Sequence, residues 1–284
     1  MKSYLNDLMN DIKEMESFDC QRTFEKTSRR IHTRATRIRW AAISSVAAVL
    51  AAVAVILHDN DNSEMLVAAA PVGQVLSVVL PDSSVVCLNS GSVLTYPSKF
   101  AKDKREVTLE GQGWFKVYAS RTYPFYVNTS KGMTLYVYGT EFDVAAYPEE
   151  ANVEVYLATG NLNMLLSEKN VECAVKPTQK VTFDTANGTF DVENMPEGPG
   201  YDWTEGNLYF RRSSMAEIMT TLSRRFNVII DTENAEADNN EYHASFTAEE
   251  TIEDILSQLS ALSDLTWHSA GIDSEGRNHI TVKY

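Results

Sequence analysis

The chain has 284 residues, of which 44% are hydrophobic and 23% charged, and its net charge is −14 at pH 7. At roughly 100–150 residues per domain, this length allows more than one domain. Residues 1–39 hold nine Lys/Arg and six Asp/Glu, whereas residues 59–284 hold sixteen against thirty-three. Because contacts with phosphates need clustered cations, the acidic part is a poor candidate for nucleic-acid binding.

Residues 1–39 are predicted to form a short helical tail. A second helical stretch, which carries Phe24, begins near Asp19 and becomes basic toward its end. Thirty-nine residues bury too little apolar surface to fold well alone. We therefore interpret the tail as a segment that completes its fold on a cytoplasmic partner, with a membrane-surface helix or an inert leader as the alternative. Its first apolar stripe, at helical spacing, consists of Leu5, Leu8, Met9, Ile12 and Met15.

Residues 41–57, AAISSVAAVLAAVAVIL, contain no charge and are predicted to form a membrane-spanning helix. With Trp40 and His58, the run covers most of a hydrocarbon core of roughly 30 Å at about 1.5 Å per residue. Basic residues precede it and acidic residues follow it, which places the N-terminus in the cytoplasm. A buried core helix and a cleaved signal peptide are the alternatives. The first lacks a solvent-facing stripe, and the second needs an unusually long leader.

The next part of the chain is predicted to form an all-β domain, sandwich or solenoid-like, at residues 59–191. Short runs rich in Val, Leu, Thr, Tyr and Phe alternate with turn residues at the spacing typical of such folds. The predicted strands cover residues 74–80, 84–88, 93–96, 106–110, 114–118, 125–128, 133–138, 141–146, 153–158, 161–165 and 180–183.

A linker is predicted at residues 192–206, where prolines and glycines cluster. Residues 207–284 then show the order β-α-β-β-α-β-β, which predicts a small α+β domain with two helices on one face of a sheet. Ser214 is the predicted cap of the first helix, and the second helix is predicted to open at Thr247 or Glu249.

Motifs for catalysis or metal binding are missing from the sequence. The five histidines show no H-E-x-x-H or other ligand spacing, and no G-x-S-x-G, Walker loop or dinucleotide fingerprint occurs. We therefore predict no metal, no cofactor and no substrate turnover. On the predicted topology only Cys87 and Cys173 could pair, since Cys20 faces a reducing compartment, and isolated thiols on strands are the favoured alternative.

The pair Gly139-Thr140 has two interpretations. A hydroxyl directly after a strained Gly peptide can attack the Gly carbonyl and convert the amide into an ester that water cuts. A tight turn or bulge between two strands is the other interpretation, which the chemistry alone favours.

Several blocks of the β region resemble, in order and spacing, the FecR family of transmembrane anti-sigma regulators. They are LPDSSVVCLN at residues 80–89, SVLTYPSKF at 92–100, REVTLEG at 105–111 with WFKV at 114–117, PFYV at 124–127 and YGTEFDV at 138–144. The family pattern usually has Gly where Ser83 stands and Glu-Ala where Gln112 and Gly113 stand. Residues from about 207 onward resemble the C-terminal domain of Bacteroidota members, which is similar to the secretin and TonB-receptor N-terminal signalling fold.

The resemblance implies a single-pass inner-membrane anti-sigma factor with a periplasmic C-terminus. Such a tail binds an extracytoplasmic-function sigma factor, the periplasmic region senses the signalling domain of a TonB-dependent outer-membrane transporter, and an intramembrane protease takes part in release. Some relatives cleave themselves at a Gly-Thr bond that corresponds to Gly139-Thr140. The alternative function is a membrane-tethered periplasmic module that binds glycan or protein, and a periplasmic hydrolase is disfavoured. The candidate sigma-binding residues are Leu5, Leu8, Met9, Ile12 and Phe24.

Overall fold

A computed structural model describes residues 6, 9, 10, 63–166, 171–195, 202–233 and 240–283. Residues 63–284 form one compact unit. Within the described ranges no helix is long and apolar enough to cross a membrane. The predicted membrane span, residues 40–58, lies outside those ranges, so it stays a prediction.

Thirteen strands are formed by the described residues at 65–166 and 171–194. These are β1 Met65–Ala69, β2 Leu76–Val79, β3 Val85–Leu88, β4 Val93–Pro97, β5 Arg105–Lys116, β6 Phe125–Thr129, β7 Met133–Val137, β8 Glu141–Ala146, β9 Asn152–Thr159, β10 Leu162–Leu166, β11 Val171–Val175, β12 Gln179–Asp184 and β13 Thr189–Asn194. The prediction of an all-β domain in this part of the chain is confirmed.

The strands build two sheets that share β5. The first half of β5 pairs with β4 and β6, and this sheet has the order β1-β4-β5-β6-β7-β10-β11. The second half pairs with β3 and β8, and this sheet has the order β2-β3-β5-β8-β9-β12-β13. Side chains of β5 alternate between buried and more exposed over its whole length, so both halves face one core.

One hydrophobic core lies between the two sheets. Phe115 and Phe142 of the second sheet stack with ring centroids 5.0 Å apart. Phe125 of the first sheet meets Phe115 edge-on at 6.3 Å, and all three rings are fully buried. The domain is therefore a sandwich whose layers are joined by β5 as well as by side-chain packing.

The strand registers sort the connecting segments into two ends of the sandwich. Met65 lies opposite Pro97, so the chain enters at the end that also holds residues 98–104 and 117–124, which we call the proximal end. At the other end Ala69 lies opposite Val93. This distal end holds the segments 70–75, 89–92 and 147–151.

In the C-terminal part, the described residues 207–233 and 240–283 form two helices and five strands. They are β14 Leu208–Ser213, α1 Met215–Phe226, β15 Ile229–Glu233, β16 Tyr242–Phe246, α2 Ile252–Leu262, β17 Thr266–Ile272 and β18 Asn278–Lys283. The order of elements is the predicted one. The prediction of a single sheet is wrong, because β14 pairs with β16 while β15, β18 and β17 form a separate sheet.

Both helices begin at capping boxes. Ser214 caps α1 as predicted, since its hydroxyl accepts a hydrogen bond from the backbone N–H of Glu217. The predicted opening of α2 at Thr247 or Glu249 is wrong. Thr251 is the N-cap of α2, because its side chain accepts a hydrogen bond from the backbone N–H of Asp254.

Cys87 on β3 and Cys173 on β11 are free thiols, each partly exposed. Burial raises the pKa of Cys87. Cys20 lies outside the described residues.

Candidate functional site

Most of the candidate sigma-binding residues lie outside the described ranges, namely Leu5, Leu8, Ile12 and Phe24. Met9 lies in a helix and its side chain is exposed. The sigma-binding stripe therefore stays a prediction.

Gly139 and Thr140 lie between β7 and β8 at the proximal end. Gly139 has φ +151°, and a Cβ added there would lie 2.6 Å from the Cα of Ala119. This close backbone approach explains why glycine stands at this position. The Thr140 side chain is buried, and its hydroxyl donates to the Asn161 carbonyl at 2.9 Å. The pair is thus a tightly held turn whose hydroxyl follows a constrained peptide.

The distal end holds a larger cluster of functional groups, where the C-terminal part packs on the sandwich. The Arg224 carbonyl, near the end of α1, accepts hydrogen bonds from the Ser90 hydroxyl at 2.7 Å and from the Gly73 N–H at 3.2 Å. A helix has no internal donors for its last carbonyls, so the sandwich supplies them. This backbone docking fixes α1 against the β3–β4 turn.

The Arg224 side chain makes a second set of contacts with the β8–β9 connection. Its guanidinium lies 3.6 Å from the centroid of the Tyr147 ring, and its Nη1 lies 2.7 Å from a Glu150 oxygen and 3.3 Å from a Glu149 oxygen. A planar cation over an aromatic face with carboxylates beside it is an arrangement suited to arginine. Arg224 therefore anchors the helix through both its backbone and its side chain.

Burial shapes the titration of the groups around Arg224. Burial raises the pKa of Tyr147 to about 12, although the nearby Arg224 cation acts in the opposite direction. Burial also raises the pKa of Glu150, and this outweighs the lowering by Arg224. The buried Tyr147 hydroxyl donates to the Ser90 carbonyl at 3.1 Å, so the tyrosine itself links two connections of the distal end.

Asp143 on β8 provides the second link between the two parts. Trp203, in a short 3₁₀ turn at Asp202–Glu205, donates its indole N–H to one Asp143 oxygen at 3.0 Å. Gln112 donates its amide N–H to the other oxygen at 2.7 Å, and Asn89 in turn donates to the Gln112 amide oxygen at 2.8 Å. Burial raises the pKa of Asp143 to about 7, with the two hydrogen bonds acting against that shift.

A cleft of about 520 Å³ lies between these contacts. Its lining mixes apolar and polar side chains and carries charges of both signs, among them Glu154, Lys180 and Arg225. Arg211 on β14 and Glu193 on β13 form a further ion pair at 3.0 Å. Among the described residues no group of three or more His, Cys, Asp or Glu side chains could hold a metal ion.

We call the contacts of Arg224 with Ser90, Tyr147 and Glu150, together with that of Trp203 with Asp143, the junction. Its cations, carboxylates and amides bind one another, which fixes the position of the C-terminal part relative to the sandwich. Sequence reasoning did not find this site, since Trp203 falls in the predicted linker and Arg224 on an ordinary helix. The Trp203–Asp143 and Arg224–Ser90 contacts join residues that are 60 and 134 positions apart, so no local sequence pattern predicts them.

The described region is thus a β sandwich joined to an α+β module by a polar junction. Known families contain both of these parts. The model described as "FecR protein" matches residues 67–162, and the model described as "FecR, C-terminal" matches residues 207–280. The chain belongs to the FecR family.

Solved structures support the same assignment. Two crystal structures of a candidate anti-sigma factor from Parabacteroides distasonis, at 2.50 Å and 1.65 Å resolution, each superpose with a TM-score of 0.69 and 25% sequence identity. The matches cover 77% and 76% of this chain and 99% and 98% of the solved chains. No curated protein matches the chain.

Proposed function

We propose that the protein is a single-pass inner-membrane anti-sigma factor that regulates transcription. One observation carries the proposal: the structural likeness to an anti-sigma factor extends over nearly all of that solved chain. The two family matches, which lie in the same order along this chain, support it.

In this proposal residues 1–39 are cytoplasmic and bind an extracytoplasmic-function sigma factor. Residues 40–58 span the inner membrane, and residues 59–284 lie in the periplasm. There they receive the signal of a TonB-dependent outer-membrane transporter, and an intramembrane protease releases the tail. The charge change across the apolar run and its length support this topology.

We assign the junction a role in transmitting that signal. A transporter domain that binds the C-terminal part acts on the sandwich only if the two parts move together. Arg224 and Asp143 supply that connection through the contacts with Tyr147 and Trp203. Weakening these contacts is therefore expected to uncouple signal binding from release.

The tail is tested by co-purification of the full chain with each extracytoplasmic-function sigma factor of its own organism, expressed one at a time. We expect one of them to be retained. The double variant Leu5→Asp with Leu8→Asp should weaken retention at least about tenfold, since loss of a buried anchor costs about 2 kcal/mol. Asp7→Ala with Lys13→Ala, which changes residues off the stripe, should retain the sigma factor. Retention of none of them would refute sigma binding by this chain.

We also propose that the Gly139-Thr140 bond can undergo self-cleavage. The Thr140 hydroxyl would attack the Gly139 carbonyl carbon, the C–N bond would break as an ester C–O bond forms, and the hydroxyl proton would pass to the freed amine. Water would then hydrolyse the ester and leave a carboxylate on Gly139. The constrained backbone of Gly139 against Ala119 favours this step.

Denaturing electrophoresis of the purified chain tests the cleavage. Two fragments are expected from the natural sequence and from Thr140→Ser, which keeps a hydroxyl, and one intact chain from Thr140→Ala. An intact natural chain, or equal cleavage of the alanine variant, would show that the pair serves only as a turn.

A further inference from the structure

The proximal end of the sandwich carries a feature that neither the fold nor the junction explains. The Glu64 carbonyl accepts a hydrogen bond from the Ser98 N–H at 2.7 Å, so the chain entering the sandwich is tied to residues 98–104. In the topology proposed above, the span ends at His58. Six residues reach at most about 20 Å when fully extended, at roughly 3.3–3.6 Å each. On that topology Glu64 lies within about 20 Å of the membrane surface.

A buried arginine binds groups of two connections at this end. Arg105 is 5% exposed, and its guanidinium donates to Asp82 and to the carbonyls of Tyr118 and Tyr123, each at 2.8 Å. The Ser120 N–H donates to the Tyr138 carbonyl at 2.7 Å. Backbone positions of the three tyrosines are thus fixed next to one another.

Their side chains point outward. Tyr118, Tyr123 and Tyr138 are 64%, 45% and 47% exposed. Exposed cations lie at the same end, with Lys99 and Lys102 in residues 98–104 and Arg121 between the first two tyrosines. We call these six residues the basic-aromatic rim.

Acidic groups are also present at this end, and some of them form ion pairs. Lys104 forms an ion pair with Glu106, and Asp82 is held by Arg105. Asp103 and Glu64 are also exposed, and their negative charges oppose the positive charges of the rim. Residues 59–284 as a whole have seventeen more acidic than basic residues. The three rim cations, Lys99, Lys102 and Arg121, outnumber the exposed Asp103 and Glu64 by one, so the rim keeps one net positive charge on an otherwise acidic region.

Tyrosine and basic residues suit the headgroup layer of a bilayer. A tyrosine ring has an apolar body and a polar hydroxyl, which matches the membrane–water boundary, and Lys or Arg attracts anionic phospholipid. An acidic region is repelled by the same lipids unless its basic surface faces them. We propose that the basic-aromatic rim rests on anionic phospholipid headgroups and orients the sandwich so that the junction at the distal end points away from the membrane.

The proposal is tested with the full chain in lipid nanodiscs, by hydrogen exchange of peptides covering residues 98–104 and 117–124. We expect exchange at least about fivefold slower in discs rich in phosphatidylglycerol than in phosphatidylcholine discs, the factor that one surface cation supplies. Salt should remove the difference. The variant Lys99→Glu with Lys102→Glu should also remove it. The matched reversal Arg212→Glu with Lys283→Glu, at exposed C-terminal sites, should keep it.

The outcomes separate this inference from the topology on which it rests. A chain that does not co-elute with the discs refutes the membrane span, and the rim contact with it. A chain held in the discs whose two peptides exchange equally in both lipids refutes the rim contact alone. If hydrogen exchange is still slower in phosphatidylglycerol discs for the Lys99→Glu, Lys102→Glu variant, another contact protects these peptides. That result also refutes the proposal.

Discussion

Asp143 is the residue whose chemistry departs most from that of an ordinary surface carboxyl. It is fully enclosed between Gln112 and Trp203, and burial raises its pKa to about 7. Between pH 4 and pH 7 the folded chain therefore keeps a proton that the unfolded chain has lost. Stability contributed by this group is present below pH 4 and is lost as the pH rises through about 7.

Removing the charge should remove that dependence. We expect residues 63–284 to unfold in urea with a free energy of unfolding that falls on the order of 4 kcal/mol between pH 4 and pH 8 through Asp143. In Asp143→Asn this part of the fall should vanish, because asparagine does not ionise. Equal pH profiles for the natural chain and the variant would contradict the raised pKa.

Among the junction residues, Arg224 is expected to contribute most to the free energy of unfolding. Its side chain is 18% exposed and combines a ring contact with two carboxylates. Arg224→Ala should lower the free energy of unfolding by about 1–3 kcal/mol, since it leaves the half-buried Glu150 carboxylate and the Tyr147 ring without their cation. Arg224→Lys should recover only part of that loss, because an ammonium cannot stack flat on the Tyr147 ring.

Thermal and urea unfolding of the variants measures these losses. Arg212→Ala is the matched control, since its ion pair with Glu241 is exposed and such pairs contribute about 0–1 kcal/mol. A loss at Arg224 no larger than at Arg212 would mean that the junction is not held by this residue.

Among the elements, β5 shows where a local pattern misleads. The sequence predicted two strands at residues 106–110 and 114–118, because Gly111 and Gly113 interrupt the apolar alternation. The structure has one strand, Arg105–Lys116, which bends at Gly111 to enter the second sheet. A Cβ at Gly111 would lie 2.9 Å from the Cα of Ser92, so the glycine permits the crossing of backbones.

Gly111→Ala should therefore be costly. The left-handed φ of +96° and the contact with Ser92 together predict a loss of at least about 2 kcal/mol in unfolding free energy. Gly132→Ala is the control, because Gly132 also has a positive φ but meets nothing within 4 Å. It should cost only about 1 kcal/mol. Equal losses in urea unfolding would remove the steric explanation.

The predicted and observed bounds of the other elements agree to different degrees. Strand β8 has the predicted bounds and α1 the predicted cap, because buried alternation and capping boxes are local signals. Strands β1, β11 and β13 were not predicted. The side chains of β1 and β13 are mostly exposed, so no apolar alternation marks these two strands. The opening of α2 was placed too early because Thr247 and Glu250 form a hydrogen-bonded turn of their own before the Thr251 cap.

At the scale of the whole chain, the sequence predicts the fold and the family better than it predicts the contacts between the two parts. Short strand-like runs separated by turn residues led to the all-β prediction, which the structure confirms, and the blocks at residues 80–144 led to the family, which the comparisons support. The junction escaped prediction because Arg224 meets Ser90 and Trp203 meets Asp143 only after folding. The proposed account then assigns release to the tail, signal reception to the C-terminal part and coupling to the junction.

The most direct test is transcription from a promoter that depends on the bound sigma factor, measured in cells that carry the natural chain, no chain, or a chain lacking residues 1–39. The account predicts that loss of residues 1–39 changes transcription as much as loss of the whole chain, because the tail is the part that binds the sigma factor. Transcription equal to that with the natural chain would contradict it and would favour a membrane-tethered binding module without sigma regulation.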